Sequence, residues 1–96
     1  MAILQATEAF TRWLRGLGDS RARGVIVERL QRVARGLEGD ARSVGHGVSE
    51  LRINHGPGYR VYFTRRGRSI VVLLHGGDKS SQRRDIEKAV RLAELL

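Results

Sequence analysis

Five side chains in this sequence have the types that metal-free phosphate chemistry requires: Arg52, His55, Arg60, Tyr62 and Lys79. Cutting an RNA strand without a metal asks three things of a protein. A ribose 2′-hydroxyl must lose a proton, the phosphorane must be relieved of its growing charge, and the 5′-oxygen must receive a proton. Arginine meets the charge with a planar fork that matches phosphate oxygens. Histidine, tyrosine and lysine can carry protons, and of these histidine alone titrates near neutrality when unperturbed. His55 lies in the INHGPGY loop that leads into the Arg60 segment, and Lys79 follows a glycine pair downstream.

Each of these residues also has a plainer reading. Arg60 can pair with Glu50, Tyr62 can be a packing residue, and His75 can simply end a strand. Asp78 can be a helix-start acid held by the helix dipole. The histidines lack a partner spacing that suggests zinc. GGDKS lacks the spacing of a phosphate-binding P-loop, so nucleotide binding is not expected.

The positioning elements follow from periodicity. In GPGYRVYFTRR, Gly56 to Arg66, Tyr59, Val61 and Phe63 point one way while Arg60, Tyr62 and Thr64 point the other. Ser49 to Ile53 alternates likewise, with Leu51 and Ile53 inward. If the two strands pair antiparallel, Arg52 and Arg60 are forced onto the face opposite the core. Two arginines there repel unless a phosphate sits between them. On that reading the face is open, and removing Arg60 leaves the core intact.

Upstream the period is helical. Thr7 caps a helix bearing Phe10, Trp13, Leu14 and Leu17, ended by Gly16 and Gly18. A second helix starts at Asp19 or Ser20 and carries Ala22, Val25, Ile26, Leu30, Val33, Ala34 and Leu37 as its buried stripe. Gly36 and Gly39 end it. A short strand at Ala2–Gln5 can precede both, and Ser43–His46 is a weak strand. Arg66-Gly67-Arg68 reads as a hairpin turn. Ser69–His75 is apolar on both faces, the pattern of a central strand covered on two sides, and Gly76-Gly77 breaks it. Ser80 or Ser81 caps a last helix with Ile86, Ala89, Val90, Ala93 and Leu96 in register. The order (β)ααββββα predicts an α+β domain over residues 1–96: a helical hairpin on an antiparallel sheet of about four strands, with a C-terminal helix. The helices are expected mainly on one face.

Composition points the same way. Eighteen Lys+Arg against ten Asp+Glu give +8, and from Arg60 to Arg84 seven cations face the single acid Asp78. Such an excess favours a polyanionic or acidic partner, with nucleic acid first. The absence of cysteine excludes disulfides and thiolate metal sites and suits a reducing cytoplasm. MAILQATEAF has no charged leader before an apolar stretch, and Ile70–Leu74 is too short to cross a bilayer, so a cytoplasmic protein with no membrane partner is expected.

Three elements together, ELR at Glu50–Arg52, GPGYRVYF at Gly56–Phe63 and GGDKSSQ with DI at Gly76–Gln82 and Asp85–Ile86, resemble the RelE/ParE superfamily of toxins from bacterial toxin–antitoxin modules. The nearest resemblance is to the HigB-like branch, the addiction module killer proteins, and it extends over nearly the whole chain. It implies an endoribonuclease that cuts translated mRNA on the ribosome by 2′-hydroxyl attack, with neither metal nor cofactor. It also implies a cognate antitoxin, a helix-turn-helix protein of the HigA-like kind. The charge-stabilising arginine falls on Arg60, and the basic residue after the last strand falls on Lys79. With His55 these form the expected catalytic set. Arg52, Tyr62, Arg65, Arg66 and Arg83 form the expected RNA-binding set. The C-terminal segment departs from many active relatives in having no tyrosine or histidine. That departure leaves the general base open and keeps two alternatives: a ParE-like inhibitor of DNA gyrase, and a non-catalytic RNA-binding module.

Overall fold

The computed structural model describes residues 1–96. The chain runs β1 (Ile3–Ala6), α1 (Glu8–Arg15), α2 (Ser20–Ala34), β2 (Ala41–Gly45), β3 (Val48–Ile53), β4 (Tyr59–Arg66), β5 (Ile70–Gly77), a 3₁₀ turn (Lys79–Ser81) and α3 (Gln82–Glu94). The α+β order matches the pattern in the sequence. The sheet has five strands rather than about four, in the order β1-β5-β4-β3-β2. The addition is β1, which pairs parallel with β5, Leu4 beside Val71, while every other pair is antiparallel. The short strand expected at Ala2–Gln5 is present as β1, and its place in the sheet is fixed by a partner 67 positions away: Ile3 opposite Ile70.

Local chemistry sets the helix starts. Thr7 Oγ1 accepts from the Phe10 amide at 3.0 Å and donates to the Leu74 carbonyl at 2.7 Å, so one hydroxyl caps α1 and ties it to β5. Asp19 caps α2 by accepting from the Arg21 and Ala22 amides. The α2 stripe packs as expected except at Leu37, which lies beyond the helix end and is exposed. Leu96 also falls outside its helix, which ends at Glu94.

The sheet is covered on both faces, which corrects the expectation of helices mainly on one. Phe10, Ile26, Leu30 and Val33 from α1 and α2 join Leu51, Ile53, Val61, Phe63, Val71 and Leu73 in one core. Val48, Tyr62, Val72 and Leu74 join Ala89 of α3 in a second core behind it. The face carrying Arg52 and Arg60 is therefore roofed by α3 over most of its length. No helix is long and apolar enough to cross a membrane.

β5 serves both layers through a β-bulge. Tyr62 opposes His75 but Phe63 opposes Leu73, so Leu74 is an extra residue. Leu74 and His75 both turn to α3, Leu74 into the second core and His75 onto Asp85. Beyond the bulge, Gly76 faces α1 and Gly77 faces α3. These glycines continue the strand rather than break it. A Cβ on Gly76 would lie 2.1 Å from Trp13 Cε3, and one on Gly77 would lie 1.8 Å from Asp85 Oδ2. Their role is close approach: the Trp13 ring and the Asp85 carboxylate occupy the side-chain space on either side. Gly76→Ala is expected to displace Trp13 and lower stability by about 1–3 kcal/mol, the usual range for overpacking, read from chemical denaturation. A melt identical to the parent would show that this contact is not tight.

Candidate functional site

The β3–β4 ladder sets Arg52 opposite Arg60, on the same face, and the β4–β5 ladder sets Arg60 opposite Gly77. Lys79 follows in the 3₁₀ turn that Asp78 caps, its carboxylate accepting from the Ser80 amide at 2.8 Å. That carboxylate is held below its usual range by hydrogen bonds led by the Ser80 hydroxyl. Asp78 thus has the plain helix-start role. Arg52, Arg60 and Lys79 line one cleft of about 410 Å³ with Asp40, Ile53, Asn54 and Gly58. Three cations face one carboxylate there.

The arginines are held differently. Arg52 is half exposed, with its Nε 3.8 Å from Asp40 Oδ2. Arg60 is only 6% exposed. Its Nη1 donates to the Gly58 carbonyl at 2.6 Å, and its Nε stands 3.8 Å from Glu50 Oε2. Gly58 has φ +78, and a Cβ there would come within 3.1 Å of Arg60 Nη1. A glycine lets the loop turn its carbonyl onto the guanidinium without crowding it. Arg60 is thus a buried floor residue, not the free side chain of an open face, and truncating it disturbs Glu50 as well.

Glu50 is fully buried. It accepts from Arg42 Nε at 3.0 Å and from Gln82 Nε2 at 2.8 Å. Burial pushes its carboxyl up, but the hydrogen bonds from Gln82 and Arg42 outweigh it and hold the group ionised, below the usual range. Tyr62, opposite Glu50 in the ladder, is also fully buried. The expectation that Tyr62 meets RNA is therefore corrected: α3 covers the phenol. Burial first, and the Glu50 charge second, push its ionisation up, and its hydroxyl has no partner.

The other expected residues lie elsewhere. His55 turns toward α2, with Nε2 3.4 Å from Asp19 Oδ2, and does not line the cleft. Arg65 and Arg66 sit at the far end of β4, roughly 20 Å from Arg60 at strand spacing. There they line a separate hollow with His46, Thr64 and Glu94, and Arg65 pairs with Glu38. Arg83 is exposed on the first turn of α3 and makes no ion pair. No cluster of histidine and acidic side chains fit to hold a metal ion occurs. Sequence reasoning missed Asp40 and Asn54 as cleft residues and Gln82 as a partner of Glu50. Asp40 and Gln82 carry no periodic signal, whereas Asn54 continues the alternation of Arg52.

The phage-derived Gp49-like protein family matches residues 12–94. The chain belongs to that family. An uncharacterized protein of Haemophilus influenzae is 44% identical to this Gp49-like protein over 93 residues, covering 97% of the chain and 94% of the relative. Among solved structures, a mutant of the E. coli toxin RelE in the free state superposes with a TM-score of 0.74 at 21% identity, over 95% of this chain and 97% of that one. The intact E. coli RelBE toxin–antitoxin complex gives 0.69 at 18%, over 81% and 96%. The Gp49-like chain therefore has the RelE fold.

On the sheet face that α3 covers, the Gp49-like protein buries a histidine. His75 Nε2 donates to Asp85 Oδ1 at 3.0 Å, Ser81 donates to Asp85 Oδ2, and His75 Nδ1 has no partner. Burial of the ring outweighs the support of Asp85, so His75 takes a proton less readily than a free histidine. The unfolded chain gains that proton first, at about pH 6.5. Stability is thus full above that pH and falls as the solution is acidified toward the lower folded value. Melting temperature is expected to drop between ~pH 7.5 and ~pH 5.5, and His75→Asn is expected to flatten the slope. An unchanged slope in a folded variant would assign the dependence to other groups.

Proposed function

We propose that this protein is the toxin of a toxin–antitoxin module: a ribosome-dependent endoribonuclease of the HigB-like kind that cuts translated mRNA by 2′-hydroxyl attack. The observation that carries this reading is the convergence of Arg52, Arg60 and Lys79 on one cleft, in a chain with the fold of RelE. Its acting partners are mRNA on the cytoplasmic ribosome and a cognate antitoxin, a helix-turn-helix protein of the HigA-like kind. The RelBE complex gives this fold a precedent for such pairing.

In this reading the scissile phosphate sits over Arg60, whose Nη2 makes no hydrogen bond within the protein. The 2′-oxygen bonds to phosphorus and the bond to the 5′-oxygen breaks, leaving a cyclic phosphate and a 5′-hydroxyl. Arg60 meets the phosphorane charge, which a preorganised donor in a partly dry site stabilises better than water does. Arg52 holds a flanking phosphate. Asp40 is the only proton acceptor among the charged groups of the cleft, and the Lys79 ammonium is a donor within it for the leaving 5′-oxygen. Asp40 thereby takes the place expected of His55, which faces Asp19.

One observation favours a second reading, RNA binding without cleavage: the cleft walls hold neither histidine nor tyrosine. Induced expression with mapping of mRNA 5′ ends, beside a gyrase supercoiling assay, separates the possibilities. Cuts within translated messages and normal supercoiling are expected. Intact messages with relaxed plasmid would instead indicate a gyrase-directed toxin, and intact messages with normal supercoiling a binding module. On programmed ribosomes, Arg60→Gln is expected to slow cleavage by about 10²–10³, the usual loss of one donor to developing charge. Asp40→Asn is expected to reduce the rate with little change in RNA affinity. Full activity in folded Arg60→Gln would remove this residue from the chemistry.

A further inference from the structure

A single carboxylate collects cations and donors from three elements. Glu50 of β3 accepts from Arg42 of β2 and from Gln82 of α3, at 3.0 and 2.8 Å, while Arg60 of β4 stands at 3.8 Å. The two hydrogen bonds satisfy both oxygens of Glu50 and keep it charged. Arg60 Nε is left within Coulomb range but without a hydrogen bond, although it is buried. On the other side of the guanidinium, Nη1 is pinned to the Gly58 carbonyl at 2.6 Å.

Of the three guanidinium nitrogens, Nη1 is held by a hydrogen bond, Nε is held only by charge attraction to Glu50 at 3.8 Å, and Nη2 remains for the cleft. A long side chain with several rotatable bonds is aimed only if something fixes its plane, and two points of attachment do so. Gly58 supplies one and Glu50 the other. We infer that Glu50 is the positioning residue of the cleft, and that Gln82, by fixing Glu50, makes the aim of Arg60 depend on the docking of α3. The inference rests on the reading of the cleft as an RNA phosphate site. Glu50 itself touches no ligand: it is fully buried and does not line the cleft.

The alternative is that Glu50 only ties strands and helix together. That role predicts lower melting temperatures with an unaltered Arg60, so the deciding measurement must report on the guanidinium. The ¹⁵N resonance of Arg60 Nε–H, assigned by its disappearance in Arg60→Gln, does so. Binding of a fluorescent, short single-stranded RNA of mixed sequence, titrated at several salt concentrations, reports on the cleft. In Glu50→Gln the Nε–H signal is expected to shift and to exchange with water at least about tenfold faster, as a proton does when its surroundings open. RNA affinity is expected to fall about tenfold, with a salt slope smaller by about one, the signature of one lost phosphate contact. Glu50→Gln added to Arg60→Gln is expected to weaken binding no further, because both act through one guanidinium.

Gln82→Met keeps the carboxylate and removes one of its donors. It is expected to move the same signal and lower affinity about threefold, and it decides the question if Glu50→Gln does not fold. An unmoved Nε–H signal in the folded variants, whatever their melting temperatures, would overturn the inference. A moved signal with RNA affinity unchanged even in Arg60→Gln would uphold the positioning and remove the RNA reading instead.

Discussion

A carboxylate taken out of water must be compensated where it lies, because an unpaired buried charge costs several kcal/mol. Glu50 imposes that constraint on this molecule. It sits in the middle of β3 with no solvent exposure, and its two oxygens are satisfied by β2 and by α3. The edge strand, the C-terminal helix and the cationic cleft are therefore coupled through one group. Its charge also sets its neighbours: it helps keep the Tyr62 phenol protonated and gives Arg60 a counter-ion on the protein side.

The same face shows how a polar layer can share a sheet with an apolar one. Toward its C-terminal half α3 rests on Val48, Val72 and Leu74 through Ala89, with Ile86, Val90 and Ala93 around them. Toward its start it meets Glu50, His75 and the Gly77 backbone through Gln82, Ser81 and Asp85. The bulge at Leu74 makes the division possible by turning two successive residues of β5 the same way. Without it, His75 would point at α1, where Trp13 lies against Gly76.

Membership of the Gp49-like family and likeness to RelE describe a scaffold, and function has to be argued from the site it carries. Here the scaffold delivers two facing arginines and a lysine beyond the adjacent strand, joined by an acid from the turn before β2. The site is built on strands, whose spacing is rigid, and closed by a turn that the Asp78 cap fixes. Arg65 and Arg66 belong to the opposite end of the same strand, so the +8 charge of the chain is spread over more than one surface.

Periodicity alone carried much of this protein. The switch from a 3.6 to a 2 repeat near residue 40, the caps at Thr7 and Asp19 and the two-sided apolar run in β5 are local properties, and local sterics decide them. The shared face of Arg52 and Arg60 was legible for the same reason: alternation in two paired strands leaves no other choice. Burial was not legible, because it depends on what lies above a face. Arg60, Tyr62 and Glu50 read as outward residues until α3, an element twenty or more positions away, is laid across them. Gly76 and Gly77 read as punctuation until Trp13 and Asp85 occupy their missing side chains. His55 read as a cleft residue until its ring turned to Asp19. Sequence fixes which side of a strand a residue takes, through bonds one or two residues long. Only the packed chain decides whether that side meets water, another helix or a phosphate, since those contacts join positions that no local pattern connects.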